Sequence, residues 1–122
     1  MNLLDSSVWI EHLTGGPRME GQEALLADPR EILVSTVNLF EVGRYVLRTA
    51  GEERCQLVLA HMEQCTVWPV DEAVARAAVR LAAAYGLHMA DALIAATAEL
   101  AGAELVTFDE DLLGLPFARR PS

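Results

Sequence analysis

The chain has 122 residues, 52% of them hydrophobic, with 18 acids against nine bases for a net charge of −9. That length fits a single domain spanning residues 1–122, and the charge repels nucleic acid unless a cation or local arginines intervene. All nine bases are arginine, which excludes Schiff-base chemistry and a P-loop lysine; no apolar run approaches the roughly 18 residues of a membrane span.

The amino terminus enters the apolar run Asn2 to Leu4 directly. It has no basic stretch, signal core or cleavage site, which predicts a cytoplasmic protein. Val8 to Leu13 and Met19 to Ala27 read as two short helices, separated by the loop signal Thr14-Gly15-Gly16-Pro17. Asp28-Pro29 turns into a second run, Ile32 to Val34, followed by a helix from Ser35 to Ala50 with Ser35 or Thr36 as cap and Gly51 as stop. A further helix is expected from Glu52 to Gln64, then a third run, Thr66 to Trp68. Val74, Ala77, Ala78, Leu81 and Tyr85 form a helical stripe ended by Gly86. Ala90 to Ala101 is apolar nearly all round and predicts a buried helix stopped by Gly102. Leu105 to Thr107 is the fourth run, and the tail beyond Pro116 offers an edge strand near Phe117. Short apolar runs alternating with helices predict an α/β fold, with a central parallel sheet of four or five strands flanked by helices. Cys55 and Cys65 have neither CxxC spacing nor a histidine at ligand distance in sequence, and read as structural thiols.

Four acids interrupt or follow apolar segments: Asp5, Glu41, Asp91 and Asp109. Each has an ordinary explanation. Asp5 and Asp109 can cap the helices that follow them, Asp91 can favour a helix dipole in a first turn, and Glu41 can pair with Arg44 and Arg48 on its own stripe. Jointly they point elsewhere. Two follow strands, where open α/β sheets carry chemistry, and all four can reach one edge of the sheet. Carboxylates ~5 Å apart repel by roughly 3 kcal/mol per pair at an effective dielectric near 20, so such a cluster requires a cation. A donor set of oxygens without His or Cys suits Mg²⁺ or Mn²⁺, ions that serve phosphodiester hydrolysis by activating a water. Ser6, Ser7 and Thr107 flank the acids and can orient them, or serve ordinary turn chemistry. His12 and His88 lie near these segments but read as capping, packing or exposed residues.

The segments Leu4-Asp5-Ser6-Ser7-Val8-Trp9-Ile10, Asn38-Leu39-Phe40-Glu41-Val42, Asp91 to Ala98 and Val106-Thr107-Phe108-Asp109-Glu110-Asp111 resemble a PIN domain, and more narrowly the VapC toxins of bacterial toxin–antitoxin pairs. The resemblance covers nearly the whole chain. It implies a PIN-like three-layer sandwich and a Mg²⁺- or Mn²⁺-dependent endoribonuclease, with Asp5, Glu41, Asp91 and Asp109 as the catalytic and metal-holding acids. Asp111 is a further candidate beside them. The resemblance also implies a homodimer and a cognate antitoxin that inserts an arginine among the acids. Relatives carry more basic residues near the site; here Arg44, Arg48, Arg18, Arg119 and Arg120 are the candidates, with Arg44 and Arg48 either touching RNA phosphate or forming helix salt bridges. Two alternatives stand beside this reading: a catalytically silent PIN-like protein-binding module, and a DNA-directed nuclease of the same fold.

Overall fold

The computed structural model describes residues 1–121. Five short strands, β1 (Asn2–Leu4), β2 (Ile32–Ser35), β3 (Thr66–Trp68), β4 (Glu104–Val106) and β5 (Ala118–Arg119), form one sheet in the order β3-β2-β1-β4-β5. All neighbours are parallel, with Leu3 paired to Leu33 and Leu105, and Leu4 to Val106. Six helices flank the sheet: α1 (Ser6–Leu13), α2 (Thr36–Ala50), α3 (Glu52–Met62), α4 (Glu72–Tyr85), α5 (Met89–Ala101) and α6 (Glu110–Leu113).

The alternation of side chains along each strand divides the interior. Leu3, Leu33 and Leu105 pack with Val74, Leu81, Ile94 and Ala95 of α4 and α5. Leu4, Ile32, Val34 and Val106 pack on the other face with Val8 and Trp9 of α1, Val42 and Val46 of α2, and Val58 and Met62 of α3. The inner strands β1, β2 and β4 are largely buried from both sides, which is why they read as apolar runs, whereas the edge strands β3 and β5 are only partly covered. Each fully buried aliphatic side chain stabilises the fold by about 1.5–3 kcal/mol.

Local chemistry sets the helix ends. Ser35 caps α2, its Oγ accepting from the Val37 N–H while Asn38 Oδ1 accepts from the Ser35 N–H. Asp71 caps α4 through the Val74 N–H, and Gly86 and Gly102 stop α4 and α5 as their sequence positions predict. The apolar Ala90–Ala101 segment is the buried helix expected of it: Ala92 and Ile94 through Ala98 are inaccessible to solvent or nearly so.

Several boundaries differ from the sequence reading; α3 stops at Met62 rather than Gln64, β2 runs on to Ser35, and α5 begins at Met89. The segment Met19 to Ala27 is no α-helix; 3₁₀ turns at Pro17–Met19 and Glu23–Leu26 replace it, because Gly21 sits at φ +78°, outside any right-handed helix. Helix α1 begins at Ser6, two residues before Val8, so Ser6 and Ser7 lie in its first turn rather than in a loop. Strand β4 is displaced by one residue and ends at Val106, leaving Thr107 free to turn its hydroxyl inward. The edge strand expected near Phe117 is β5, and Cys55 and Cys65 are both free thiols. Among the described residues no single helix is long and apolar enough to cross a membrane.

Candidate metal centre

Strand β1 has β2 on one side and β4 on the other, so the connections leave it in opposite directions and open a crevice at the strand C-termini. Asp5 follows β1 directly, and its N–H donates to the Val106 carbonyl at 2.9 Å, continuing the ladder to β4 for one more step. Asp109 follows β4 after Thr107 and Phe108 and caps α6 by accepting from the Asp111 N–H at 2.9 Å. Asp91 lies in the first turn of α5, and Glu41 lies within α2.

These placements bring the acids to one crevice. Asp91, Asp109 and Asp111 each present a carboxylate oxygen within 4.8 Å of the other two. Asp5 and Glu41 are outside that tight group but are electrostatically joined to it. Partial burial, followed by the charges of Asp109, Asp5, Glu41 and Asp111, pushes the Asp91 carboxyl up to about 6. Burial raises Asp5, with Asp109 adding to the shift and hydrogen bonds from Thr107 and Ser7 opposing it. Burial likewise raises Glu41, opposed by Ser6 and reinforced by Asp5. The couplings join Glu41, Asp5, Asp91, Asp109 and Asp111 into one electrostatically connected row of acids.

A shell of hydroxyls fixes the row. Asp5 Oδ2 accepts from Thr107 Oγ1 at 2.8 Å and from Ser7 Oγ at 2.9 Å. The same two hydroxyls accept from the main chain of the β4–α6 loop: Thr107 Oγ1 from the Asp109 N–H and Ser7 Oγ from the Phe108 N–H. Asp5 and Asp109, at opposite ends of the chain, are therefore tied together through two side chains. On the other flank Ser6 Oγ donates to Glu41 Oε1 at 2.7 Å and accepts from Asn38 Nδ2 at 3.0 Å, while Asn38 in turn accepts from the Ser35 N–H. Asn38 and Ser35 are fully buried.

The arrangement rejects two of the ordinary explanations and keeps two, the first-turn place of Asp91 and the cap at Asp109. Asp5 occupies the N-cap position of α1 without making a side-chain cap bond. Glu41 bonds Ser6, and among the described residues neither it nor Arg44 or Arg48 forms an ion pair. Asp109 is a true cap and a member of the acidic row at once. Arg44 and Arg48 border an open cleft of about 280 Å³ with Ile10, Phe40, Tyr45 and Glu41. His12 and His88 are exposed and stand outside the acid group. Asn38 was not anticipated as a site residue, although its place three positions before Glu41 puts it on the same helix face. The donor set of carboxylate oxygens, with the Asp91 proton held too tightly and no cationic side chain paired to the set among the described residues, fits a hard divalent ion.

The PIN domain family model matches residues 3–118. A toxin–antitoxin complex from Klebsiella pneumoniae contains a chain that is 26% identical, with a TM-score of 0.84 over 100% of this chain and 98% of that one. A DNA-bound VapBC complex from Salmonella typhimurium gives 19% identity and a TM-score of 0.80 over 100% of both chains. A sarcin–ricin-loop-cleaving VapC toxin from Mycobacterium tuberculosis gives 18% identity and 0.77 over 96% of both. No curated protein matches the chain in sequence.

Proposed function

Because the chain belongs to the PIN domain family, we propose that it is a metal-dependent endoribonuclease and the toxin of a toxin–antitoxin pair. Asp5, Glu41, Asp91 and Asp109 hold Mg²⁺ or Mn²⁺, with Asp111 at the edge of the set. The observation that carries this reading is the row of acids that lacks any cationic partner among the described residues, in which Asp91 is carried to about 6. When bound, a divalent ion polarises a phosphoryl oxygen and makes an attacking water more acidic. The protein's own part is placement: Thr107 and Ser7 hold Asp5, and Ser6 with Asn38 holds Glu41.

The substrate is RNA, and Arg44 and Arg48 contact its phosphates from the cleft beside Glu41. With a net charge of −9 the chain tolerates that polyanion only through the cation and such local arginines. The partners are a cognate antitoxin and a second copy of the chain. Supporting both is an apolar cleft of about 350 Å³ beside Glu41, edged by Phe40 and Met89, which are 64% and 78% exposed. The protein acts in the cytoplasm.

The test is cleavage of single-stranded RNA by the full chain in Mg²⁺ or Mn²⁺, compared with Asp5→Asn and Asp91→Asn. Products with 5′-phosphate and 3′-hydroxyl ends are expected from the unsubstituted chain alone. Undiminished cleavage by either variant, or cleavage persisting in excess chelator, sinks the proposal.

A further inference from the structure

Beside Asp109, between its chain neighbours Phe108 and Glu110, a third cleft of about 340 Å³ is lined by these two residues with Arg18, Arg120 and Pro121. We propose that Arg18 stacked on Phe108, with Arg120 beside it, is a subsite for a nucleotide of single-stranded RNA flanking the scissile phosphate. The assignment rests on the ribonuclease reading above for its substrate class. It rests on the following geometry for its place.

The Arg18 guanidinium carbon lies 4.1 Å from the centroid of the Phe108 ring, so the cation covers one face of the aromatic. Its side chain is 56% exposed, which leaves the plane open to a partner. Its placement is enforced from the far side by Glu11, whose side chain is only 13% exposed. Glu11 accepts from the Arg18 main-chain N–H at 3.0 Å and from Arg18 Nη2 at 2.9 Å. The carboxylate fills space that only glycine leaves open, since a Cβ on Gly16 would lie 2.0 Å from Glu11 Oε2. The loop between α1 and the first 3₁₀ turn is thereby latched so that it lays an arginine plane on the ring.

Phe108 is registered to the acids on both sides. It precedes Asp109, and its N–H donates to Ser7 Oγ, which donates to Asp5. A base stacked on the outer face of Arg18 therefore belongs to a nucleotide adjacent to one held among the carboxylates. Unpaired bases are commonly held in this way, by guanidinium planes and aromatic rings. Arg120 is bound by the exposed Glu110, an ion pair worth little in water and readily exchanged for a phosphate. With Arg44 and Arg48 in the cleft beside Glu41, and Arg18 and Arg120 in the cleft beside Asp109, the acids have basic groups at two separate clefts, which suits a strand lying across them. An acidic protein segment is the competing occupant; it has no use for a stacking plane.

The experiment measures fluorescence anisotropy of a labelled single-stranded RNA oligonucleotide with cleavage-resistant phosphorothioate linkages, bound to the full chain in Mg²⁺, and compares the Arg18→Gln, Arg18→Lys and Arg80→Gln variants. Arg18→Gln is expected to weaken binding roughly tenfold, within the range for loss of one stacked base. Arg18→Lys, which keeps the charge and loses the plane, should recover little of it, and Arg80→Gln on the exposed side of α4 should change nothing. In the cleavage-competent chain Arg18→Gln should raise KM with kcat unchanged; a merely structural role would lower kcat and Tm together. Equal binding with and without Arg18 overturns the subsite whatever the cleavage result. So does full rescue by lysine, or loss of binding to a protein partner with RNA binding intact. RNA that binds through Arg18 but is never cut supports the subsite and removes the ribonuclease reading instead.

Discussion

Replacing Asp91 with asparagine should make the metal-free protein more stable at neutral pH, although it removes a residue of the proposed centre. Folding carries the Asp91 carboxyl from 3.8 to about 6, which at about 1.36 kcal/mol per pKa unit is roughly 3 kcal/mol of destabilisation once the group is ionised. Asp91 is only partly buried, and solvent screening leaves about half of that, on the order of 1.5 kcal/mol. The sign follows from proton uptake. Between pH 3.8 and about 6 the folded chain keeps a proton that the unfolded chain has lost, so stability falls as pH rises through this window and levels off above it. Below about pH 3.8 both states are protonated and the penalty vanishes. For 122 residues the unfolding entropy is about 0.26 kcal/mol/K, so Asp91→Asn should raise Tm by about 6 °C at pH 7.5 in chelator. At pH 3.5 the two proteins should melt within about a degree of each other. Adding Mg²⁺ at pH 7.5 should then reverse the order, because the ion stabilises only a chain that binds it, by about 2.7 kcal/mol at a concentration 100 times Kd. Melting curves at the two pH values, with and without Mg²⁺, decide the matter. An Asp91→Asn chain that melts below the parent in chelator at pH 7.5 refutes the claim that burial and the neighbouring acids disfavour an ionised Asp91 in the absence of an ion.

Asn38→Ala strands the buried Ser35 N–H and leaves Ser6 without its donor, so urea denaturation should give a loss of about 2 kcal/mol and RNA cleavage should fall with it. Thr107→Val keeps the shape but removes the hydroxyl that serves both Asp5 and the Asp109 N–H; calorimetric titration should find Mg²⁺ bound about 10–100-fold more weakly while the fold survives. Arg44→Gln with Arg48→Gln should leave metal binding intact and reduce the slope of log affinity for single-stranded RNA against log salt by about 1.4 if both touch phosphate. An unchanged slope would return both arginines to solvent.

Much of the fold is legible along the chain because its signals are local. Strands β1 to β4 read as apolar runs, and Ser35, Gly86 and Gly102 mark helix ends by chemistry that needs no tertiary context. Asp5 and Asp109 stand out for the same reason, since each follows a strand. The segment from Met19 to Ala27 misleads because its composition suits a helix and only the backbone angle at Gly21 forbids one. Strand order is invisible to periodicity: nothing in Leu105 or Val106 says that they pair with β1 rather than β3. Asn38 is hidden because a polar residue in a helix ordinarily faces water, and its burial depends on how α2 turns toward α1. Arg18 and Phe108 are distant in sequence, and their contact follows from a loop folded back by Glu11.

The bond between Thr107 and Asp5 joins residues 102 positions apart, and this has a consequence for how the molecule is made. During synthesis β1 is made well before the strand that completes its crevice, with β2, β3 and five helices between them. A nascent or truncated chain ending before β4 can build the α1–α3 layer against β1, β2 and β3, yet it lacks Asp109, the Thr107 hydroxyl and the neighbour that receives the Asp5 N–H. Such contacts between distant segments also close slowly, because the intervening chain must be ordered before they form. The α1–α2 pair can hold Asp5 and Glu41 before β4 exists, but Asp109 and the hydroxyl that ties it to Asp5 join them only once β4 is made.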